Sequence, residues 1–321
     1  MGMTDLHLEI RPVRIPDDFP ALVALARLAL DWQVTAEDLA HEEANREAKY
    51  HHVAFVAEIL DGGVKRIVGA ADTGHDRFSY EDGKFRVNLM VHPDVEARGI
   101  GGALWQTVWN HLAELNPKKL VNMTNSDSAR GLRMLAHLGF QQVWERVESR
   151  LEPGAVDFAA YADLDADLEA QGMTIRSLES LNDPDAARKL YDLDMELLGD
   201  VPFGQAVTPP SFEQWHKETL SDPRWNPATI WLAVKDGEWI AMSSLERLPD
   251  FFVIGMTGVK RLFRGLGLAK RLKLEGVRYA QMHGGVEIRT YNDHVNTAML
   301  GMNASMGFQR FRSRLRFENV L

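Results

Sequence analysis

The sequence predicts an α/β protein built as two tandem domains, each a mostly antiparallel central sheet of mixed strand direction flanked by helices. Three observations carry this expectation. The chain repeats itself: "VHPDVEARGIGGAL" begins at Val91 and "VKRLFRGLGLAKRL" at Val259, 168 residues apart, and "MLAHLGFQ" at Met134 and "MNASMGFQ" at Met302 share that offset. Each copy reads as a strand, helices, antiparallel strands and then β-α-β-α-β. Each copy also carries a small-residue turn between an apolar strand and a helix.

The elements follow in order in the second copy. Thr174–Leu178 reads as a strand, and a helix follows with Asp183 as N-cap and Pro184 in its first turn. Ser211 and Gln214 form a capping-box pattern that opens a second helix. "TIWLAV" and "WIAMSSLE" flank Asp236-Gly237, the dipeptide of a tight hairpin. "FFVIGMTGV" is a buried strand, and a helix from about Leu266 to His283 stops at Gly284-Gly285. Strand "VEIRT", helix "VNTAMLGMNASM" and strand "FQRFRSRLRF" complete it. The first copy runs the same way: strand, two helices, three strands, helix, strand, helix, strand. The openings "EIRPV" and "TIRSL" match at an offset of 165, so the intervening regions tolerate small insertions. The expected division is a first domain over 1–153, an acidic, partly helical linker over 154–172, and a second domain over 173–321.

Composition narrows function. The 321 residues include 36 basic and 46 acidic side chains, a formal charge of −10, which disfavours nucleic acid and anionic membrane surfaces as partners. There is no cysteine, so disulfides, thiolate metal sites and a covalent cysteine nucleophile are all excluded. His51, His52, His92 and His294 show no metal-ligand spacing with carboxylates, and no metal is expected. No apolar run reaches the ~18 residues of a membrane helix. Asp5 and Glu9 interrupt any signal-peptide pattern, and Leu6 stands where a myristoylation start needs Ser or Thr. The chain therefore reads as cytoplasmic.

The turn Arg264-Gly265-Leu266-Gly267-Leu268-Ala269 carries the chemistry. Small residues at 265, 267 and 269 keep side chains out, so that backbone amides and the positive end of the following helix make an anion site. It lacks the third glycine of the dinucleotide fingerprint and is not a Walker loop. Taken alone, the turn fits tight helix-on-sheet packing equally well. With Thr257-Gly-Val259 ahead of it, Arg264-x-x-Gly267-x-Ala269 resembles motif A of the GNAT N-acetyltransferases. Asn296-x-x-Met299 followed by Gly307-Phe308 resembles motif B of that family. The resemblance covers roughly 7–151 and 173–321, and tandem members include mycothiol synthase-like proteins and antibiotic acetyltransferases.

The resemblance implies two GNAT-like domains and an acetyl-CoA-dependent transferase. The turn residues Arg264, Gly265, Leu266, Gly267, Leu268, Ala269 and Lys270 would hold the pyrophosphate, and Asn296 the pantetheine arm. The Val259 N–H would polarise the thioester carbonyl, a contribution of about 3–4 kcal/mol to the barrier. The acceptor would be a primary amine of a small molecule, attacking directly. A protein N-terminus or lysine is the alternative acceptor, and a CoA-binding regulatory module without turnover the alternative class. Homodimers are common among such proteins.

The copies are unequal. Arg264 corresponds to Glu96, Ala269 to Gly101 and Asn296 to Ser128, so the first copy is expected to be degenerate and the second catalytic. Val91, Arg98, Gly99, Ile100, Gly101 and Gly102 mark a second candidate cofactor site, with Arg98 expected to offset Glu96. The family's tyrosine acid is replaced by Leu135 and Asn303. Asn303 can hydrogen-bond a leaving thiolate but not protonate it, and it reads equally well as a satisfied polar group on a helix. Glu246, at the end of "WIAMSSLE", is the candidate general base, although a solvated strand end would look the same. The basic cluster Lys260, Arg261, Arg264, Lys270, Arg271 and Lys273 is expected to neutralise CoA phosphates. Trp215, Trp225 and Trp231 are expected in the core, with Trp215 and Phe203 alternatively lining an acceptor pocket.

Overall fold

The computed structural model describes residues 7–30, 33–222 and 224–321; residues 1–6, on which the N-terminal reading partly rests, lie outside that range. In chain order the elements are β1 (Leu8–Pro12), α1 (Phe19–Leu30), α2 (Ala36–Ala44), β2 (Val53–Asp61), β3 (Val64–Gly74), β4 (Lys84–Val91), α3 (Ile100–Ala113), β5 (Lys119–Asn125), α4 (Ala129–His137) and β6 (Gln141–Leu151). Then come α5 (Ala162–Ala170), β7 (Met173–Ser177), α6 (Leu178–Leu181), α7 (Ala186–Leu198), α8 (Phe212–Leu220), β8 (Ile230–Lys235), β9 (Glu238–Arg247), β10 (Phe252–Val259), α9 (Leu268–Met282), β11 (Ile288–Asp293), α10 (Thr297–Ser305) and β12 (Gln309–Val320). From β4 to β6 and from β10 to β12 the elements correspond at the 168-residue offset to within one or two residues at most ends. No helix of the described residues is long and apolar enough to cross a membrane.

The chain forms two compact units, and they divide it differently from the repeat boundaries. One comprises 1–144, 206–208 and 314–321; the other comprises 145–205 and 209–313. In the first unit β1, β2, β3 and β4 pair antiparallel in sequence, β5 pairs parallel to β4, and Arg314–Val320 of β12 runs antiparallel to β5. In the second unit β7 through β10 pair antiparallel, β11 pairs parallel to β10, and Arg146–Leu151 of β6 runs antiparallel to β11. The two sequence copies thus exchange their final strands. The stretch read as a linker belongs to the second unit, where Leu168 of α5 joins the core.

Local chemistry accounts for the framework. Asp236 and Gly237 have φ of 51° and 80°, as a two-residue turn with both centres left-handed requires. The Ser211 hydroxyl accepts from the Gln214 amide at 3.2 Å and starts α8. At α7 the start differs from expectation. Ser177 caps the short α6 first, Asp183 accepts from the Asp185 amide in a turn, and the helix begins at Ala186. On α9, Leu268, Leu272, Gly276 and Ala280 recur every fourth residue and face the sheet. Leu272 and Val277 are fully buried, and each contributes on the order of 1.5–3 kcal/mol. The opposite face packs α7 and α8, through Leu190, Leu193, Leu197 and Trp215, against Leu232 and Met242. Trp231 lies in the α9-side core and Trp225 packs half-buried beside the α7 cluster.

Candidate functional site

The site is built where β10 and β11 part. Their parallel pairing covers only Phe252–Ile288 and Val253–Arg289, so the rest of each strand presents an unpaired edge to the other. Further along, β10 bulges: Gly255 and Met256 together face Ser244 of β9 before pairing resumes at Thr257–Ser243. The Lys260 amide donates to the Ile240 carbonyl at 2.9 Å, which makes Lys260 and Ile240 a bonded pair. Antiparallel alternation then turns the N–H and C=O of Val259 away from β9, toward the open edge. Leu197 of α7 sits against Gly258, where any side chain would come within 2.9 Å of it.

The chain leaves Val259 through a short 3-10 turn into Gly265 and Gly267, with φ of 82° and 83°. Gly267 is the N-cap of α9 and its carbonyl accepts the first helical bond, from Arg271. Among the described residues the amides of 265–270 donate to no protein acceptor. A Cβ at Gly265 would meet open space, so that side of the turn is accessible. A row of unspent N–H groups at a helix N-terminus fits a phosphate or pyrophosphate.

The basic cluster is arranged differently from the expectation that it neutralises phosphates. Arg264 donates from Nε to the Val259 carbonyl at 3.0 Å, and its NH2 pairs with Asp200. Arg261 also pairs with Asp200, at 2.5 Å, and these two cations hold the Asp200 carboxyl below its ordinary range. Lys260 pairs with Glu238 and Glu196 at 2.8 and 3.4 Å. Arg271 is buried between Asp165 and Glu275. Lys273 is 1% exposed and no part of a solvated face. Of the six, only Lys270 is left without a hydrogen-bonding partner among the described residues; its Nζ stands 5.8 Å from the Tyr161 ring. Arg264 therefore braces the end of β10 against the turn.

The remaining expected residues fall on both sides of the slot. Asn296 caps α10, its Oδ1 accepting from Met299 at 3.2 Å, and its Nδ2 has no partner among the described residues. Asn303 is 1% exposed; its Oδ1 accepts from Lys273 Nζ at 2.6 Å and its Nδ2 donates to Asn292 Oδ1 at 2.7 Å. It is thus a buried polar group with both ends engaged. Glu246 is half-buried on the α7 face beside the bulge, with Arg224 at 3.4 Å, and a Cβ on Gly255 would lie 3.4 Å from its Oε1. Among the described residues no three His, Asp or Glu side chains gather as a metal site.

Residues 175–308 match the model of the acetyltransferase (GNAT) family, a span that contains the bulge, the turn and α10. That stretch is an acetyltransferase domain of the GNAT family. A curated relative, a mycothiol acetyltransferase of Parafrankia sp. (strain EAN1pec), is 22% identical over 277 residues, covering 78% of this chain and 82% of the relative. A tandem GNAT protein from the clavulanic acid biosynthesis pathway superposes with a TM-score of 0.72 at 19% identity, over 98% of both chains. A GCN5-related N-acetyltransferase from Sphaerobacter thermophilus gives 0.69 at 21%, over 98% and 95%. These structural likenesses establish the fold.

The first unit keeps the backbone of the turn and changes its side chains. Gly99 has φ of 83°, and Ala97, at the place of Gly265, is held at φ 61°. The amides of 97–102, including Arg98, Ile100, Gly101 and Gly102, also lack protein acceptors among the described residues. Glu96 pairs with Arg130 of α4, not with Arg98, which is exposed. Strand β4 runs from Arg86 to Val91 along β3 with no bulge. Where the second unit has Ser244 and the bulge, the first has Asp72, held by Arg86 at 3.1 Å and Asn88 at 3.1 Å. Despite its burial, the Arg86 charge lowers the Asp72 carboxyl to about 2.

One group escaped the sequence reading, and another, Lys273, is buried where a phosphate-facing cation was expected. Asp194 of α7 is half-buried, and burial raises its carboxyl to about 6 against a hydrogen bond from Trp215. Its signal was available: Leu190, Leu193, Asp194 and Leu197 follow the i, i+3, i+4, i+7 stripe of a buried helix face. Lys273 likewise lies among the buried positions of α9.

Proposed function

We propose that the second unit binds acetyl-CoA and transfers its acetyl group to the primary amine of a small molecule. The observation that carries this reading is the unbroken row of free amides at 265–270, beginning a few residues beyond a strand end whose Val259 N–H faces an open slot. In this reading the pyrophosphate lies on the amides of Gly265, Leu266, Gly267, Leu268, Ala269 and Lys270, and Asn296 Nδ2 donates to the pantetheine arm. The Val259 N–H donates to the thioester oxygen as negative charge develops there. The amine attacks the thioester carbon, the C–S bond breaks, and the amine's surplus proton leaves through Glu246 to solvent. No acyl-enzyme is needed, in keeping with a chain that has no cysteine. A curated relative named a mycothiol acetyltransferase favours a small-molecule acceptor over a protein.

Isothermal titration of acetyl-CoA tests this reading, with Arg264→Glu alongside. The wild type is expected to bind one equivalent. The variant loses the brace on the Val259 carbonyl, places a carboxylate beside Asp200, and is expected to bind at least tenfold more weakly. Unaltered stoichiometry and affinity would move the cofactor site away from this turn.

A further inference from the structure

Lys273 is the one buried cation of the second unit that sits opposite no carboxylate in its described contacts. Arg271 has Asp165 and Glu275; Arg289 has Glu148 and Glu287. Lys273 Nζ has Asn303 Oδ1 at 2.6 Å and the Phe308 ring at 5.8 Å. An ammonium donates three hydrogen bonds, and one is spent. Desolvation is costly under these conditions and lowers the Lys273 ammonium to about 7, with no charged neighbour to offset it. The hydrogen bonds continue from Asn303 Nδ2 to Asn292. Asn292 lies three residues past the last β10–β11 pair, level with the bulged Gly255 and Met256 across the slot. At the corresponding places the first unit has Trp105, Leu135 and Thr124, with Phe140 packed on Trp105 as Phe308 packs on Lys273. The polar chain is therefore particular to the unit with the bulge.

We propose that Lys273 is a positioning residue of acetyl transfer, fixing the Asn303–Asn292 amide pair and holding a positive charge behind the slot in which the CoA thiolate departs. This rests on the acetyl-CoA reading above. When the amine nitrogen bonds to the acetyl carbon and the C–S bond breaks, the electron pair remains on sulfur. A cation in a low-dielectric interior stabilises that charge as it forms. Solvent later supplies the proton that completes the thiol.

The test is the acidity of the thiol in bound CoA, read from its ultraviolet thiolate band with the full-length protein in excess and desulfo-CoA as blank. The chain has no cysteine, so no protein thiol contributes. In the wild type the forming thiolate keeps Lys273 protonated above the pH at which it would otherwise lose its charge, so the two titrate as a pair and the bound thiol is expected at least one pH unit below free CoA, a tenfold effect in acidity. Lys273→Met, close in volume and apolar, should return it to the free value, and Lys273→Arg should keep most of the shift. Asn303→Asp, nearly isosteric, sets a carboxylate against the ammonium and should raise the thiol without removing Lys273. Equal thiol acidity in the wild type, Lys273→Met and Asn303→Asp, all binding CoA, overturns the assignment. A wild type that binds no CoA overturns the acetyl-CoA reading, and this inference with it.

Discussion

The turn through Glu96, Ala97 and Gly99 and the turn through Arg264, Gly265 and Gly267 follow the same path, with left-handed residues at equivalent places. Their surroundings differ. Arg264 ties its turn to the Val259 carbonyl, whereas Glu96 reaches Arg130 on a neighbouring helix. Strand β10 bulges beside Glu246, whereas β4 stays regular and fills that region with an Asp72–Arg86–Asn88 cluster. Asn303 and Lys273 are replaced by Leu135 and Trp105. A loop backbone can persist because it packs a helix on a sheet. The groups that would act on a ligand persist only where each has a partner to hold it.

The largest contrast is expected at the two N-cap glycines. A Cβ on Gly267 would come within 2.5 Å of Leu164 Cδ1, whereas one on Gly99 meets nothing within 4 Å. Both positions have φ of 83°, so alanine costs about 1–2 kcal/mol at either for the backbone alone. Overpacking adds about 1–3 kcal/mol at Gly267 only. Chemical denaturation of Gly267→Ala and Gly99→Ala should show that difference, and equal losses would mean Leu164 moves aside freely.

Acid should separate the units next. The Asp194 carboxyl lies at about 6, above its ordinary 3.8, so its burial opposes folding fully above pH 6, and that penalty is lost progressively as pH falls from 6 to 3.8. Asp194→Asn is expected to raise stability by about 1–2 kcal/mol at pH 8 and to change little near pH 4. Asp72 lies at about 2, below 3.8, so its contribution is complete above pH 4 and fades as pH falls toward 2. Asp72→Asn should destabilise at neutral pH. Thermal melts of both variants across pH 3–8 check the two opposite slopes.

The smallest effect is at Ala97. A left-handed alanine costs roughly 1 kcal/mol relative to glycine, part of which the greater freedom of an unfolded glycine offsets. Ala97→Gly should raise the melting temperature by a degree or so, whereas Gly265→Ala should lower it. If both lower it, the strain at Ala97 is already relieved by its neighbours.

Much of this was legible in the chain because it depends on local patterns. The 168-residue offset located the paired elements; Asp236-Gly237 and Ser211 fixed a hairpin and a helix start; the small residues from Gly265 to Ala269 marked the turn. What was not legible depends on partners distant in sequence. Nothing near Arg264 announces Asp200, and nothing near Glu96 announces Arg130. The bulge arises from a mismatch between β9 and β10, which neither strand reveals alone. Asp183-Pro184 looked like a helix start because it is a turn with the same hydrogen bond, completed one step before the helix begins.

The exchanged final strands set an order of events on the ribosome. The sheet of the first unit receives Arg314–Val320 beside β5, from about 190 residues further along the chain. Vectorial synthesis therefore leaves the open edge of β5 exposed until β12 has been made, while the second unit already has its β6 segment when β11 emerges. The half made first is the half finished last. Its waiting edge is where a stalled or prematurely terminated nascent chain would be most prone to pair with the wrong strand.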